Sequence, residues 1–181
     1  LVLDEVYRHF AEAEDYTSGL PFVVEGKNVI AINSFSKTYG LAGLRVGYCY
    51  APLEISNYMR KICKPFLLST PALEGAIAAL EDVDFVNKTV ALVKEERRFV
   101  LNGLDALQIK YWPTQGNFVL IDPPINDMEF TTFLEQRGIM VRPVGNFGAP
   151  GKVRISFGVR EANKALLAAL EVMMKSQTTT A

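Results

Sequence analysis

The sequence predicts an α/β protein with a smaller α+β domain at its C-terminal end. Short apolar runs bounded by polar residues and glycine, which are typical of buried strands, occur near the start of the chain and again beyond Ile109. Between them, apolar residues recur at helical spacing from Val83 to Leu107. We therefore expect one domain over residues 1–80, a long linking helix over 81–108 and a small domain over 109–181.

The composition is that of an ordinary globular chain. With a net charge of -1, the chain has no basic surface that would attract nucleic acid. It also contains no run of about eighteen apolar residues, so the sequence predicts no membrane span. Two cysteines and one histidine, His9, are too few for a disulfide framework or a metal site, so we expect a cytoplasmic protein without metal. The chain has no initiator methionine and opens inside an apolar run, from which we expect a fragment.

The first elements are a strand and a loop. Leu1 to Leu3 is predicted as the end of a buried strand, with Asp4 at its C-terminal tip, where open α/β sheets bind their ligands. The segment from Ala11 to Gly26 is predicted as a loop, because Ser18-Gly19 and Pro21 break regular structure there.

The stretch from Asn28 to Tyr50 reads NVIAINSFSKTYGLAGLRVGYCY and carries the candidate chemistry. A predicted strand, Asn28 to Asn33, ends in polar residues and is followed by a glycine-rich turn and a second strand, Val46 to Tyr50. The polar residues between the strands are Ser34, Ser36, Lys37 and Arg45.

These side chains predict a site for an anionic aldehyde. Desolvation at the mouth of a buried strand lowers the pKa of a lysine amine, and a neutral amine such as that of Lys37 can form a Schiff base. Ser34 and Ser36 are two residues apart and would point the same way, so their hydroxyls can bind an anion. The planar fork of Arg45 fits a phosphate, and the set therefore indicates pyridoxal 5'-phosphate.

Ser34 and Lys37 also satisfy S-x-x-K, the nucleophile motif of penicillin-binding proteins. There the serine opens a helix, whereas Ser34 closes a strand-like run and no S-D-N or K-T-G segment accompanies it. The pattern therefore favours the cofactor site.

The remaining elements follow from periodicity and capping residues. A helix from Pro52 to Ile62 and another from Thr70 to Leu80, with Thr70 as N-cap, precede the long helix, whose charged face from Lys94 to Arg98 is expected to be solvated. Beyond it we predict strands at Phe118–Ile121, Ile139–Val141 and Val153–Phe157, a helix from Asn126 to Gly138, a glycine-rich turn from Gly145 to Gly151, a final helix from Arg160 and a disordered tail, Ser176 to Ala181.

Two segments resemble a known family. SFSKTYGLAGLRVGY is similar to the lysine segment of class I/II, fold-type I aminotransferases, most closely those of the histidinol-phosphate type, and DEVY resembles their D-E-x-Y motif. The resemblance covers the C-terminal half of such enzymes. It implies the C-terminal part of a large cofactor-binding domain, a mostly parallel sheet with flanking helices, followed by the small domain.

The resemblance also implies a role for each candidate residue. Lys37 would hold pyridoxal phosphate as a Schiff base and serve as the catalytic base. Asp4 would pair with the ring nitrogen, Tyr7 would donate to the ring oxygen, and Ser34, Ser36 and Arg45 would hold the phosphate. Two further residues, Arg142 and Arg154, resemble arginines that bind the substrate's carboxylate or phosphate, although Arg142 fits a strand-end surface residue equally well.

The implied activity is transamination between a small amino donor, an amino acid or an amino phosphate, and a 2-oxo acid, in a homodimer. Two alternatives stay open at this point: a decarboxylase of the phosphothreonine type, which uses the same constellation, and a non-catalytic ligand-sensing domain. The sequence leaves the amino donor undecided.

Overall fold

The computed structural model describes residues 1–178, which form two compact units, Leu1–Val90 and a second from Ala91 onward. The strands are β1 (Val2–Asp4), β2 (Ile30–Ser34), β3 (Gly47–Tyr50), β4 (Phe118–Ile121), β5 (Arg142–Pro143) and β6 (Val153–Ser156). The helices are α1 (Leu20–Val24), α2 (Leu53–Ile62), α3 (Thr70–Glu81), α4 (Val83–Ala106), α5 (Asp127–Glu135) and α6 (Arg160–Thr178). The division between the units falls inside α4, and the domain boundaries given above stay a prediction.

The first unit is built on a mixed sheet in the order β1-β2-β3. Strands β1 and β2 are parallel, with Asp4 opposite Ile32, and β2 and β3 are antiparallel. Since the carboxyl ends of parallel strands share one edge, Asp4 and the residues that follow β2 meet at that edge. A buried cluster of Phe35, Val46, Ala72 and Ala76 supports the turn beyond β2.

Two predictions for the first unit are wrong. The segment predicted as a loop contains α1, because Pro21, expected to break structure, lies in the first turn of the helix, where its missing N–H costs nothing. The N-cap of α3 is Ser69 and not Thr70. Ser69 has an extended backbone, and its Oγ accepts the N–H of Ala72 at 3.3 Å.

The second unit has an antiparallel sheet in the order β4-β6-β5. Helix α5 begins as predicted, with the side chain of Asn126 accepting the N–H groups of Met128 and Glu129. It is closed by Gly138, whose φ of +74° lies in the left-handed region that favours glycine. Alternating residues of β4 and β6 are buried, including Val119, Ile121, Val153 and Ile155.

Three predictions for the second unit need correction. The predicted strand Ile139–Val141 is wrong, because Ile139 still closes α5 by donating its N–H to Leu134, and the pairing with β6 begins only at Arg142. The charged face of α4 is not wholly solvated, since Glu96 and Arg97 are only 2% and 4% exposed. Ser176 to Thr178 belong to α6, which contradicts the disordered tail there, and residues 179–181 lie outside the described part of the chain.

Within residues 1–178 no helix combines the length and apolarity needed to cross a membrane. The same residues contain no cluster of three or more histidine, cysteine, aspartate or glutamate side chains placed to bind a metal ion.

Candidate active site

Lys37 lies in the turn that follows β2, at the edge where β1 also ends. Its Nζ is 5.4 Å from the centroid of the Tyr7 ring, and Tyr7 itself directly precedes a 3₁₀ turn, Arg8–Phe10. An ammonium group at this distance from an aromatic face is attracted by the ring quadrupole. The structure therefore brings together two of the predicted site residues: Tyr7, from the segment after β1, and Lys37, from the turn after β2.

Ser34 and Ser36 are also brought together. The hydroxyl of Ser34 donates to the hydroxyl of Ser36 at 2.8 Å and accepts the backbone N–H of Ser36 at 3.0 Å. Both side chains are partly exposed, so the hydroxyl pair can exchange its internal bond for one to an anion.

Arg45 leaves the short 3₁₀ turn Ala42–Leu44 in a left-handed conformation, with φ 54° and ψ 44°. This conformation costs a non-glycine residue about 1–2 kcal/mol. The exposed guanidinium donates from Nη1 to the carbonyl oxygen of Ala42 at 2.8 Å, which ties the side chain back onto its own turn.

Two neighbouring acids after β1 have different surroundings. Glu5 is buried and accepts hydrogen bonds from the N–H of Gly19 at 2.6 Å and the hydroxyls of Ser18 and Tyr16. Asp4 is exposed, and within the described part of the chain it accepts only the N–H of Val6, at 3.2 Å. Glu5 therefore holds the loop before α1, while the carboxylate of Asp4 is available to a ligand.

The hydrogen bonds of Asp4 and Arg45 go to backbone groups, so the structure does not join either of them directly to Lys37. The donor set nevertheless fits pyridoxal phosphate: an amine beside a phenol ring, two hydroxyls and a guanidinium for a phosphate, and an open carboxylate for a ring nitrogen.

The two arginines of the second unit face each other. Arg142 and Arg154 are paired in register across β5 and β6. They line a hollow of about 280 Å³ together with Met140, Val141 and Ser156. The guanidinium of Arg154 lies 5.1 Å from the Phe118 ring centroid, and its Nε is buried without a hydrogen-bond partner in the described chain. A buried donor without a partner is costly, and a bound anion would satisfy it.

The sequence analysis missed Ser156 as a lining residue. Because side chains alternate along a strand, a residue two positions after Arg154 points to the same face, so the spacing in R-I-S carried the signal. Met140 and Val141 could not be found in this way, since they lie outside the strand.

The profile of the family described as aminotransferase class I and II matches residues 1–170. The chain belongs to this family. The resemblance inferred from its lysine segment is therefore confirmed, and so is the fold class.

Other members of the aminotransferase family show the same relationship. The chain is 40% identical over 171 residues to a histidinol-phosphate aminotransferase of Anaeromyxobacter, covering 94% of this chain and 47% of the relative. It is 39% identical to histidinol-phosphate aminotransferase 1 of Caulobacter vibrioides, covering 96% and 50%. The chain thus spans about half the length of the curated relatives it matches.

A solved aminotransferase also matches the fold. The histidinol-phosphate aminotransferase from Sinorhizobium meliloti, a structure in complex with pyridoxal-5'-phosphate, is 27% identical, with a TM-score of 0.81 over 98% of this chain and 49% of that one. The names of these three relatives do not favour the decarboxylase and sensor alternatives.

Proposed function

We propose that the whole protein is a pyridoxal-phosphate-dependent aminotransferase of the histidinol-phosphate aminotransferase type. It moves an amino group between a small amino acid or amino phosphate and a 2-oxo acid. The observation that carries this proposal is the amine of Lys37 over the Tyr7 ring, at the strand edge that also presents Ser34, Ser36 and Asp4. Family membership and the names of the relatives support it.

Each cofactor contact is assigned to a group whose chemistry suits it. Lys37 would hold the cofactor through its aldehyde group, and Ser34, Ser36 and Arg45 would hold its phosphate. Asp4 holds the proton of the ring nitrogen, and Tyr7 donates to the ring oxygen. When bound, the cofactor supplies an electron sink for the pair left behind on a substrate carbon.

The role of general base is assigned to Lys37. With cofactor and substrate bound, the amine of Lys37, held beside the Tyr7 ring, would be the base that takes the proton from the substrate's α-carbon.

Arg142 and Arg154 bind the carboxylate or phosphate of the substrate. Two permanently charged forks, paired in register on neighbouring strands, support this assignment, as does the Nε of Arg154, which lacks a hydrogen-bond partner among the described residues. We also propose a cytoplasmic homodimer. The exposed side chains of Ile62, Phe66 and Leu67 support it as an apolar segment that an interface would cover, and sedimentation of the whole protein tests it.

Replacement of Lys37 tests the proposed function. In the whole protein reconstituted with pyridoxal phosphate, Lys37→Ala should abolish the absorbance of the covalently bound cofactor and the transfer of amino groups to 2-oxoglutarate from a panel of donors. Lys61→Ala is the matched control, because Lys61 also lies over a tyrosine ring, 5.1 Å from Tyr58, but on the exposed helix α2. Unchanged absorbance in Lys37→Ala, or release of carbon dioxide without amino transfer by the unmodified protein, would contradict the proposal.

A further inference from the structure

A second pair of residues also joins the turn that carries Lys37 to the segment that carries Tyr7. Tyr39 lies two residues after Lys37, and His9 lies two residues after Tyr7. The rings of His9 and Tyr39 meet edge to face, with centroids 5.6 Å apart and planes at 82°. The Lys37–Tyr7 contact and the His9–Tyr39 contact therefore join the same two segments side by side.

Tyr39 is held from its other side by the core. Its ring packs on Phe35 with a centroid distance of 4.7 Å, and Phe35 is 5% exposed and belongs to the buried cluster of the first unit. Phe35 in turn contacts Tyr48, at 5.8 Å between centroids. The Tyr39 ring thus lies between a fixed core residue and the His9 ring.

Backbone bonds confine the turn but leave its outer face to Tyr39. The N–H of Gly40 bonds the carbonyl of Lys37 at 3.0 Å, and the N–H of Leu41 bonds the carbonyl of Phe35 at 2.9 Å. These bonds close the loop on itself. The ring contact between Tyr39 and His9 links this loop to the Arg8–Phe10 turn, in addition to the contact between Lys37 and Tyr7.

The state of His9 suits this packing. Burial, with a smaller contribution from the charge of Arg8, lowers the pKa of His9 below its usual 6.5. The neutral imidazole that results at neutral pH can pack its ring against a phenol without leaving a charge partly desolvated.

We propose that Tyr39 is a positioning residue for Lys37: its ring, held between Phe35 and His9, keeps the Lys37 turn against the Arg8–Phe10 turn so that Nζ stays over Tyr7. This inference rests on the proposed function, in which Nζ must reach a carbon with a defined geometry. A lysine side chain has many rotamers, so the position of its backbone decides how often the amine is correctly placed.

The test compares three variants of the whole protein loaded with pyridoxal phosphate. Tyr39→Leu removes the ring, whereas Tyr39→Phe keeps it and should stay within about twofold of the unmodified protein in kcat. Tyr50→Leu is the matched control. Tyr50 packs on Tyr48, with 5.5 Å between the ring centroids, and is one ring further than Tyr48 from the turn that carries Lys37. A displacement of about 1 Å can cost on the order of a hundredfold in rate, so Tyr39→Leu should lower kcat between about tenfold and a hundredfold with KM nearly unchanged.

A second readout separates positioning from a purely structural role. The pH at which the spectrum of the bound cofactor changes reports the protonation of the lysine nitrogen, and it should shift in Tyr39→Leu but not in Tyr39→Phe or Tyr50→Leu. His9→Ala, at a partly exposed residue, removes the outer contact without touching the core and should change kcat and the spectrum in the same direction as Tyr39→Leu.

The outcomes distinguish this inference from the function on which it rests. If Tyr39→Leu and His9→Ala keep the kcat and the spectral pH of an active unmodified protein, the positioning role is wrong while the proposed function stands. The positioning role is equally wrong if Tyr39→Leu loses thermal stability to the same extent as Tyr50→Leu and shows no further effect. An unmodified protein that binds no pyridoxal phosphate would overturn both.

Discussion

Arg142 and Arg154 are direct partners across the ladder between β5 and β6. Like charges directly opposite each other destabilise an antiparallel pair, and here one of the two also has a buried Nε without a hydrogen-bond partner. Under the proposed function, a bound carboxylate or phosphate would offset the repulsion between the two guanidinium groups.

The first prediction concerns the geometry of that pair. Arg154→Lys keeps the charge but loses the planar fork, so the KM for an anionic amino donor should rise between about tenfold and a hundredfold. Steady-state kinetics of the whole protein measures this. Lys61→Gln is the control, because it removes one exposed cation that lies over the Tyr58 ring on α2 and does not line the hollow. Equal KM values in Arg154→Lys and the unmodified protein would exclude Arg154 from substrate binding.

The second prediction concerns the hydroxyl pair. Ser36→Ala removes a proposed donor to the cofactor phosphate, and one hydrogen bond to a charged group contributes about 1.5–3 kcal/mol. The Kd for pyridoxal phosphate should therefore rise on the order of tenfold or more, as measured by fluorescence titration. Ser56→Ala, which removes a hydroxyl bonded to the carbonyl of Ala51, should leave the Kd unchanged. A Kd that is equal in all three proteins would rule out the phosphate contact.

The third prediction compares two glutamates that share one arginine. Arg160 donates from Nε to Glu96 at 2.7 Å and from Nη2 to Glu95 at 2.6 Å, and the two glutamate side chains are 2% and 64% exposed. Breaking a buried pair costs far more than breaking an exposed one, so Glu96→Gln should lower the free energy of unfolding by about 2–4 kcal/mol. Glu95→Gln should lower it by less than about 1 kcal/mol. Denaturant unfolding measures both, and similar losses would show that burial does not set the strength of this pair.

The fourth prediction is the acid sensitivity of the same group. Burial raises the pKa of Glu96, but hydrogen bonds from Asn163 and Arg160 outweigh it and hold the pKa below the usual 4.5. The unfolded chain therefore binds more protons, so this contribution to stability is complete above 4.5 and is lost as the pH falls through the folded pKa. Between about pH 5 and 3 the unmodified protein should lose more stability than Glu96→Gln, and parallel curves would contradict this.

The fifth prediction concerns the first turn of α3. Ser69 accepts the N–H of Ala72, whereas Thr70 is exposed at the first helical position. Ser69→Ala should therefore cost about 1 kcal/mol in the free energy of unfolding. Thr70→Ala should change it by less than about 0.5 kcal/mol. If Thr70→Ala lowered the free energy of unfolding more than Ser69→Ala, Thr70 would be the N-cap, as the sequence predicted.

Local patterns in the chain were enough to predict several elements closely. The apolar spacing predicted α4, the run Phe118–Ile121 predicted β4, and Asn126 predicted the start of α5. Each depends on residues within one or two turns of each other. The hydroxyl pair is also local, but strand alternation does not explain it: β2 ends at Ser34, and in the turn that follows the Ser34 hydroxyl accepts the N–H of Ser36.

By itself, the sequence determined most of the elements and indicated the residues proposed to carry the chemistry, because periodicity, capping and the lysine motif act over short distances along the chain. Only the tertiary structure decided which charged groups are buried, as with Glu96 on α4, and which distant residues become partners, as with Arg142 and Arg154. Burial and strand pairing depend on what packs from elsewhere in the chain, and neither leaves a signal in the residues next to the one that is buried or paired.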